Sequence, residues 1–405
     1  MKDMSAYKDV FKHWGLNRVI NASGTMTSIG ASKVKPEALD AIISVMPEFV
    51  SMEQLQERAS TVISGIIGTE AGCITACSAS AITTGVAAAI TGLDLDAIEQ
   101  IPNCEGHENR VVVPMGHMIN YGAPIHQAIA LAGAEVIPVG TAAMCEIYHL
   151  EAALREGAAA AVYVVSHHTV REGELPMELF VEICHNYDVP VIIDMASEYD
   201  MDEPVKLGAD LIIYSGHKFM CGPTSGIVAG KRDLVRATYL QNRGIGRVMK
   251  MGKEAVVGAL AALEIWATHD FEADRASEEK NLAFWLEILS GVEGLTLARH
   301  TDWTGNPITR IEVQVDPSKA GLYAWELSDR LACRETRIMV RDDHIEEGLF
   351  HLDPCNVNLE EVELVATAIS DEIDKAKDSG DGCKSSWSDV KRARSTGPLN
   401  FLGDN

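Results

Sequence analysis

One stretch of the chain, residues 209–230, limits the possible folds more than any other. It contains two short apolar runs, Leu211–Tyr214 and Gly226–Ala229, with a Gly- and Pro-containing segment between them. Apolar runs of this length, flanked by Gly and Pro, predict two buried strands that are joined by a tight connection. The segment between them begins with Ser215-Gly216-His217-Lys218, so Lys218 is expected just past the end of the first strand.

Lys218 has two interpretations at this position. A lysine at a strand end is commonly a solvated side chain with no further role. Here the lysine lies between two apolar strands and beside Ser215 and His217. Partial desolvation in such a setting favours the neutral amine, which is the form that attacks a carbonyl group and forms a Schiff base.

A second position upstream supports the catalytic interpretation. Residues 189–194 form a buried-strand pattern that ends in Asp194. An aspartate at the end of a strand can simply cap the next helix, but the carboxyl ends of parallel strands also carry functional groups in α/β folds. A lysine that holds pyridoxal 5'-phosphate (PLP) and an aspartate that pairs with its pyridinium nitrogen form the pair that a PLP enzyme needs. Asp194 and Lys218 are therefore predicted to form that pair.

These segments resemble a known family. The segment Tyr214–Ile227, the Asp194 strand and the segment Val19–Thr25 are similar to the selenocysteine synthase (L-seryl-tRNA selenium transferase)-like group of fold-type I PLP enzymes, and within it to the D-glucosaminate-6-phosphate ammonia-lyase branch. The resemblance extends from about Val19 to about Leu364. It implies an α/β fold of the aspartate-aminotransferase type, in which a mostly parallel sheet is wrapped by helices and a smaller α+β domain follows. It also implies a homodimer or a larger homo-oligomer, because in such enzymes the dimer completes the cofactor site.

Alternating strand and helix patterns agree with this fold class. We expect an N-terminal helical arm and active-site segment in residues 1–55, a large PLP-binding domain in 56–270 and a small α+β domain in 271–380. The arm begins with a predicted amphipathic helix whose apolar face includes Tyr7 and Trp14. Residues 381–405 have few apolar side chains and are expected to form a mobile tail or to wrap over a neighbouring subunit.

The cofactor contacts are predicted around the Lys218–Asp194 pair. Ser78, Ala79 and Ser80 begin an Ala-rich helix after a strand, an arrangement that forms a phosphate cup, although it is also an ordinary helix start. His117 follows a strand at the place where resembling enzymes stack a ring on the pyridine face, and it could equally be a loop histidine. The remaining predicted contacts flank the two central residues: Ala196, Ser215 and His217.

Substrate contacts are less determined by the sequence. The candidates are Thr25, His168, Arg247 and Arg341. Three of them have an ordinary alternative: a plain loop for Thr25, a solvated helix end for Arg247 and an outward strand position for Arg341. His167 and His168 are adjacent and could suggest a metal, but neighbours in an extended segment point to opposite faces, so no metal site is predicted.

Charge and cysteine usage exclude several classes of function. The formal net charge is −25, which opposes the binding of tRNA, DNA or an anionic membrane surface. The nine cysteines include no Cys-x-x-Cys pair, so neither a zinc site nor a disulfide framework is indicated, and a reducing cytoplasm is the expected location. The N-terminal residues have no apolar segment typical of a signal peptide.

The predicted reaction follows from the resemblance and from the Lys218–Asp194 pair. It is an α,β-elimination on a 2-amino-3-hydroxy acid, such as D-glucosaminate or its 6-phosphate, which gives a 2-oxo acid and ammonia. Formation of a carbanion on PLP is shared with other reactions. A PLP-dependent racemase or epimerase is therefore the alternative, and a tRNA-dependent selenium transferase is a further one that the net charge opposes.

Overall fold

The computed structural model describes residues 9–403 of the 405-residue chain. Contacts divide the chain into two compact units. The large unit comprises residues 32–269, and the small unit comprises residues 1–31 together with residues 270–405. In the described part of the chain, no helix combines the length and the apolar character that a membrane span requires.

The described residues form strands and helices that are numbered here in chain order. The strands are β1 (Val19–Ala22), β2 (Ala71–Thr75), β3 (Arg110–Pro114), β4 (Glu135–Val139), β5 (Ala160–Val164), β6 (Val191–Asp194), β7 (Leu211–Ser215), β8 (Gly226–Gly230), β9 (Leu295–Thr301), β10 (Thr309–Val315), β11 (Arg337–Val340) and β12 (Leu349–Leu352). The helices are α1 (Val10–Trp14), α2 (Pro36–Val45), α3 (Met52–Ile67), α4 (Ser78–Thr91), α5 (Leu95–Gln100), α6 (Ile125–Ala130), α7 (Ile147–Leu154), α8 (Met177–Asn186), α9 (Glu203–Lys206), α10 (Arg232–Leu240), α11 (Lys253–Ala267), α12 (Phe271–Leu289), α13 (Pro317–Ala320), α14 (Ala324–Ala332), α15 (Leu359–Ser379) and α16 (Trp387–Thr396).

The large unit is built on a seven-stranded sheet with the strand order β2-β8-β7-β6-β5-β3-β4. Strand β8 is antiparallel to both of its neighbours, and the other pairings of the sheet are parallel. The central strands β6, β7 and β8 are buried along their whole length, as expected for a sheet that helices cover on both faces. The mostly parallel α/β fold predicted from the sequence is confirmed.

Helix α4 packs unusually close to this sheet. A side chain at Gly85 would place its Cβ 2.7 Å from the Cδ2 atom of Leu211, so glycine is required at the contact. The N-terminus of α4 follows β2, the edge strand beside β8. The close packing therefore fixes the start of α4 relative to the strand pair β7–β8 from which Lys218 projects.

The small unit contains a three-stranded antiparallel sheet with the order β12-β10-β9 and a parallel pair formed by β1 and β11. Its helices α12, α14 and α15 bury a core that includes Trp285, Leu327 and Ile369. The indole Nε1 of Trp285 donates a hydrogen bond of 3.0 Å to the carbonyl of Val362, so this large ring is buried without an unpaired polar atom. This unit has the α+β composition predicted for the smaller domain.

The two ends of the chain differ in part from the sequence analysis. The described part of the predicted N-terminal helix is only α1, and Tyr7 lies outside the described residues. Residues 381–405, for which a mobile tail or a segment wrapped over a neighbouring subunit was expected, include α16, whose Trp387 and Val390 pack against the core of the small unit. Arg394 of the same helix forms ion pairs with Asp329 and Asp342. These few contacts hold the segment although its overall composition is polar.

Candidate active site

Asp194 occupies the end of a central strand of the large unit. It is paired in register with Val164 of β5 on one side and with Ile213 of β7 on the other. Only 6% of the residue is exposed. Its carboxylate accepts a hydrogen bond of 3.2 Å from the backbone N–H of Ala196. The predicted acid is therefore present at the carboxyl end of a buried parallel strand, with Ala196 as its immediate partner.

Burial changes the acidity of this carboxyl group. It raises the pKa of Asp194 from 3.8 to about 6, because the charged form loses its hydration. Lys218 and the N–H of Ala196 lower the pKa of Asp194 and oppose part of this rise. Lys218 is the cation that stabilises the charge of Asp194, so the structure brings together the two residues on which the sequence analysis depends.

The backbone of the connection between β7 and β8 holds Lys218 in place. The N–H of Cys221 donates to the carbonyl of Lys218 at 3.1 Å, and the N–H of Gly222 donates to the carbonyl of Gly216 at 2.8 Å. Gly216 cannot carry a side chain, since its Cβ would lie 2.2 Å from the Oγ atom of Ser225. The connection is thus tight, as predicted, and it leaves Lys218 half-buried.

Ser215 and His217 form a buried polar pair next to this lysine. The Oγ atom of Ser215 lies 3.0 Å from Nδ1 of His217. Burial, and then the charge of Lys218, lower the pKa of His217, which favours the neutral ring. The Nε2 atom of His217 is buried and has no hydrogen-bond partner among the described residues. A buried nitrogen in this state can bind a water molecule or a polar group of a ligand.

The first turn of α4 has the form of an anion cup. Cys77 is the N-cap and forms a reciprocal capping box with Ser80, whose hydroxyl accepts from the N–H of Cys77 at 2.9 Å and donates to the carbonyl of Cys77 at 2.7 Å. The hydroxyl of Ser80 is therefore used by the helix cap. The N–H groups of Ser78 and Ala79 belong to the first turn, where they have no intrahelical acceptor and where the helix dipole attracts an anion.

His117 follows β3 in a short 3₁₀ helix, Met115–His117, and is almost fully buried. Its Nδ1 atom accepts a hydrogen bond of 3.1 Å from the N–H of Val164, and its ring makes an edge contact with Tyr163 at 4.4 Å between centroids. Burial lowers the pKa of His117 to about 4. The ring is therefore neutral and rigidly held, with its proton on Nε2.

Sequence analysis missed Tyr121. This half-buried residue lies in the loop after the His117 helix, and burial, then Asp194 and Cys77, raise the pKa of its hydroxyl to about 12. Because Asp194 and Cys77 both affect its pKa, the hydroxyl of Tyr121 lies near the end of β6 and near the cap of α4. An aromatic residue after a strand gives no strong signal by itself, because such residues more often belong to the core.

Arg247 lines a cavity together with a predicted cofactor residue. The cavity has a volume of about 210 Å³, and its lining includes Ser80, Thr84, Tyr239, Arg247 and Lys250. Arg247 lies in the 3₁₀ helix Ile245–Met249 and is exposed, as is Lys250. The basic segment that the sequence analysis identified therefore lies beside the N-terminal part of α4, as a site for an anionic group requires.

The small unit brings Thr25 and Arg341 into one neighbourhood. Gly24, which precedes Thr25, has a φ of +87°, and a Cβ there would lie 3.7 Å from the guanidinium of Arg341. Arg341 is buried and its Nε atom lies 2.8 Å from the carboxylate of Asp343. The outward orientation considered for Arg341 is therefore wrong, since the residue is buried and its guanidinium is paired.

The two adjacent histidines do not have the extended backbone that was expected. His167 and His168 lie in a turn and not in an extended segment, and their ring centroids are 3.7 Å apart. The expectation that their side chains point to opposite faces is therefore wrong. His168 is exposed.

The residues of the large unit fit PLP. Among the described residues, the carboxylate of Asp194 has one hydrogen bond, from the N–H of Ala196, and is otherwise enclosed, so it can accept from a pyridinium N–H. The first turn of α4 suits a phosphate, and Lys218 has the amine that could attack a carbonyl carbon. The buried Nε2 atom of His217 is available to a polar substituent of the ring.

Comparisons with known proteins agree with this arrangement. Residues 19–283 match the family described as L-seryl-tRNA selenium transferase. The chain is 35% identical to the D-glucosaminate-6-phosphate ammonia lyase of Salmonella typhimurium over 370 residues, which covers 91% of this chain and 99% of that protein. It is 32% identical to a 5'-C-glycyluridine monooxygenase-decarboxylase of a Streptomyces species, over 85% of this chain and 87% of that protein.

A solved structure gives the same result at the level of the fold. A structure of D-glucosaminate-6-phosphate ammonia-lyase, 35% identical in sequence, superimposes with a TM-score of 0.83 and covers 93% of this chain and 100% of that one. The likeness thus includes both units, and it extends well beyond the segments that contain Asp194 and Lys218.

Proposed function

The chain belongs to the L-seryl-tRNA selenium transferase family, and on this premise we propose that it is a PLP-dependent ammonia-lyase that acts on a 2-amino-3-hydroxy acid. The substrate is D-glucosaminate or its 6-phosphate, and the products are a 2-oxo acid and ammonia. The observation that carries the proposal is the Lys218–Asp194 pair, in a chain that matches an ammonia lyase over 91% of its length.

PLP is the cofactor, and it supplies an electron sink for negative charge at the substrate α-carbon. Lys218 would hold it covalently, Asp194 would accept the hydrogen bond of its ring nitrogen, and the first turn of α4 would bind its phosphate. His117, Ala196, Ser215 and His217 remain the predicted neighbours of the ring. Asp194 acts here as an anion, which requires that its pKa fall below the working pH when a positive ring nitrogen lies beside it.

Lys218 also moves the proton in this proposal. Its Nζ atom, once free, takes the proton from the substrate α-carbon and delivers a proton to the oxygen of the 3-hydroxyl group, which leaves as water. Hydrolysis of the remaining carbon–nitrogen bond then consumes one water and releases ammonia, so the net change converts a 2-amino-3-hydroxy acid to a 3-deoxy-2-oxo acid.

The substrate contacts are part of the same proposal. Arg247 lines the cavity beside α4 and is the candidate for a carboxylate or phosphate of the substrate. Thr25 and Arg341 are further candidates carried by the small unit, and His168 is an exposed candidate of the large unit. A 6-phosphate group would account for a basic segment in a chain whose net charge is −25.

The test is product analysis with the purified holoenzyme. We expect ammonia and a 2-oxo acid in equal amounts from one member of a panel of D- and L-2-amino-3-hydroxy acids, with and without phosphate. Lys218→Ala should abolish both products. Inversion of configuration without ammonia would replace the proposal by the racemase alternative, and product from the Lys218→Ala variant would remove Lys218 from the mechanism.

A tRNA-dependent reaction is the weaker candidate for this chain. A tRNA ligand requires a basic surface, and the net charge of −25 opposes it. We therefore propose that no nucleic acid is bound. A reducing cytoplasmic location fits the nine cysteines, which are all free in the structure.

We also propose a homodimer or a larger homo-oligomer. The large unit exposes several large apolar side chains on α2 and on the segment that follows it: Leu39, Ile43, Met46 and Phe49. An apolar patch of this kind is typical of an interface. Light scattering should show at least a dimer, and Phe49→Asp should shift the protein toward the monomer, whereas a monomeric wild-type enzyme would contradict the proposal.

A further inference from the structure

The small unit carries a group of metal-ligating side chains on the face of its sheet opposite to the core. In β10, Ile311 and Val313 face the apolar core, while Glu312 alternates with them. The strand register places His351 of β12 directly opposite Glu312. On the other side it places His300 of β9 opposite Arg310, one diagonal step from Glu312. Three strands therefore present His300, Glu312 and His351 on one face.

The ligand atoms of these three residues are close enough to share one ion. One nitrogen of each histidine and one oxygen of Glu312 all lie within 4.8 Å of one another. Nε2 of His351 and Oε2 of Glu312 are 3.6 Å apart, which is too far for a hydrogen bond. Zinc bonds of about 2.0–2.2 Å in tetrahedral geometry place ligand atoms roughly 3.4 Å apart, so small side-chain rotations complete the site.

His351 is the strongest indication of a missing partner. The residue is 1% exposed, and neither of its ring nitrogens has a hydrogen-bond partner among residues 9–403. Nδ1 of His300 is also buried and without a hydrogen-bond partner there. Buried polar atoms are rarely left in this state, because the loss of hydration is then not compensated. A ligand that accepts lone pairs from both rings would satisfy them.

Ion pairs flank the three residues. Arg310 is paired at 2.7 Å with Asp302 and at 2.6 Å with Asp353, and Arg341 is paired with Asp343. With Glu312 the cluster holds four carboxylates and two guanidinium groups, so a dication would balance its formal charges.

An aromatic ring covers the same position. The centroid of Trp303 lies 4.5 Å from that of His300 and 5.1 Å from that of His351. The guanidinium carbons of Arg310 and Arg341 lie 5.3 Å and 5.1 Å from the same ring. The indole therefore limits access of water to the two imidazoles and fixes their orientation.

We propose that His300, Glu312 and His351 bind one divalent transition-metal ion, which links β9, β10 and β12. Zn²⁺ is the ion used to test the proposal. Two imidazoles and one carboxylate form a ligand set that suits Zn²⁺ and leaves a fourth position for water. The site uses none of the residues assigned to the cofactor, and Arg341, a candidate for substrate binding, lies beside it. Its three ligands come from different strands that are separated in the sequence, so no short sequence motif identifies them.

The first experiment measures binding to the full-length holoenzyme. The protein is stripped with a chelator, dialysed and titrated with Zn²⁺ by calorimetry, in parallel with Co²⁺ followed by visible absorption. The variants are Glu312→Gln, His300→Asn and His351→Asn, and His126→Asn, an exposed histidine of the large unit, is the control. We expect one equivalent in the wild type and in the control. Each of the three variants should bind it at least about tenfold more weakly, since loss of an outer partner alone costs about that much.

Thermal unfolding supplies the second readout. Saturating Zn²⁺ should raise the melting temperature of the wild type and leave that of Glu312→Gln unchanged, because only a bound ion shifts the equilibrium. Glu312 is partly exposed and its replacement is isosteric, so this variant keeps the test valid if His351→Asn does not fold. A wild type that takes up no equivalent would overturn the proposal. So would an equivalent that persists in folded Glu312→Gln and His300→Asn, which would assign the binding to the free thiols.

Discussion

Lys218 is the cation that lowers the pKa of the buried Asp194 carboxyl group, and it does so against the larger effect of burial. The two residues are positioned by neighbouring parallel strands, since Asp194 ends β6 and Lys218 follows the end of β7. The strand pairing therefore brings the two residues close together in the absence of any ligand. In the protein without PLP, Asp194 remains partly protonated near neutral pH, because its pKa is about 6 and not 3.8.

The first prediction concerns the pH dependence of PLP binding. Above a pH of about 6 Asp194 is ionised and can accept the charged N–H of the ring, whereas below it the carboxyl group is protonated and this interaction is lost. The affinity of the apoprotein for PLP should therefore be level above that pH and fall about tenfold per pH unit below it. The measurement is a fluorescence titration of the apoprotein with PLP across the pH range.

Asp194→Asn is the control for that titration. The phosphate of a phosphate ester itself titrates near pH 6, so the wild-type profile alone does not assign the group. The variant cannot ionise at this position, and we expect it to bind PLP about 10–100-fold more weakly at neutral pH, since a hydrogen bond to a charged group contributes about 1.5–3 kcal/mol. An identical pH profile in both proteins would show that Asp194 does not determine it.

The fold class of the large unit, and the positions of Asp194 and Lys218 at the ends of buried strands, could be predicted from the sequence. Asp194 and Lys218 each follow an apolar run that only a buried strand explains, and parallel strands bring their ends to one edge of a sheet. Tyr121 was missed because a loop aromatic has many ordinary roles. His167 and His168 were misinterpreted because a turn brings neighbouring rings together, whereas a strand would separate them.

The small unit was harder to predict for a different reason. Its metal-ligating face depends on the register of β9, β10 and β12, and β9 shows no clear alternation of buried and exposed residues. Arg341 is buried beside Asp343 and Trp303, contacts that the local sequence pattern does not reveal. The helix α16 is held by a few ion pairs and ring contacts, which composition does not reveal.

The second prediction concerns the cap of α4. Ser80→Ala removes the hydroxyl that bonds both the N–H and the carbonyl of Cys77. We expect a loss of about 0.5–2 kcal/mol in the free energy of unfolding and a weaker PLP affinity, because the first turn then orders its N–H groups less well. Ser51→Ala is the matched control, since Ser51 caps α3 through the N–H of Gln54. It should lower stability alone, and an equal loss of PLP affinity in both variants would argue against the phosphate cup.

The third prediction concerns Arg247 and the substrate. Arg247→Met should raise KM by about fivefold to tenfold with little change in kcat. The reason is that the exposed arginine would bind the substrate equally well in the ground state and in the transition state. A change confined to the phosphorylated substrate would assign Arg247 to the phosphate, and a change in both would assign it to the carboxylate. Arg243→Met is the control, because Arg243 is exposed in the same segment but does not line the cavity. Equal kinetics of Arg247→Met and wild type would exclude Arg247 from the site.

The fourth prediction compares two glycines of the small unit. Gly24 and Gly30 both have a positive φ, +87° and +92°, so an alanine at either one costs about 1–2 kcal/mol through backbone strain. A Cβ at Gly30 meets nothing within 4 Å, whereas one at Gly24 would lie 2.8 Å from Oδ2 of Asp353, the oxygen that accepts from Nε of Arg310. Gly24→Ala should therefore lower the urea midpoint clearly more than Gly30→Ala does. Equal urea midpoints would mean that the buried Asp353–Arg310 pair can move without a loss of stability. The pair would then not hold the segment before Thr25 in place.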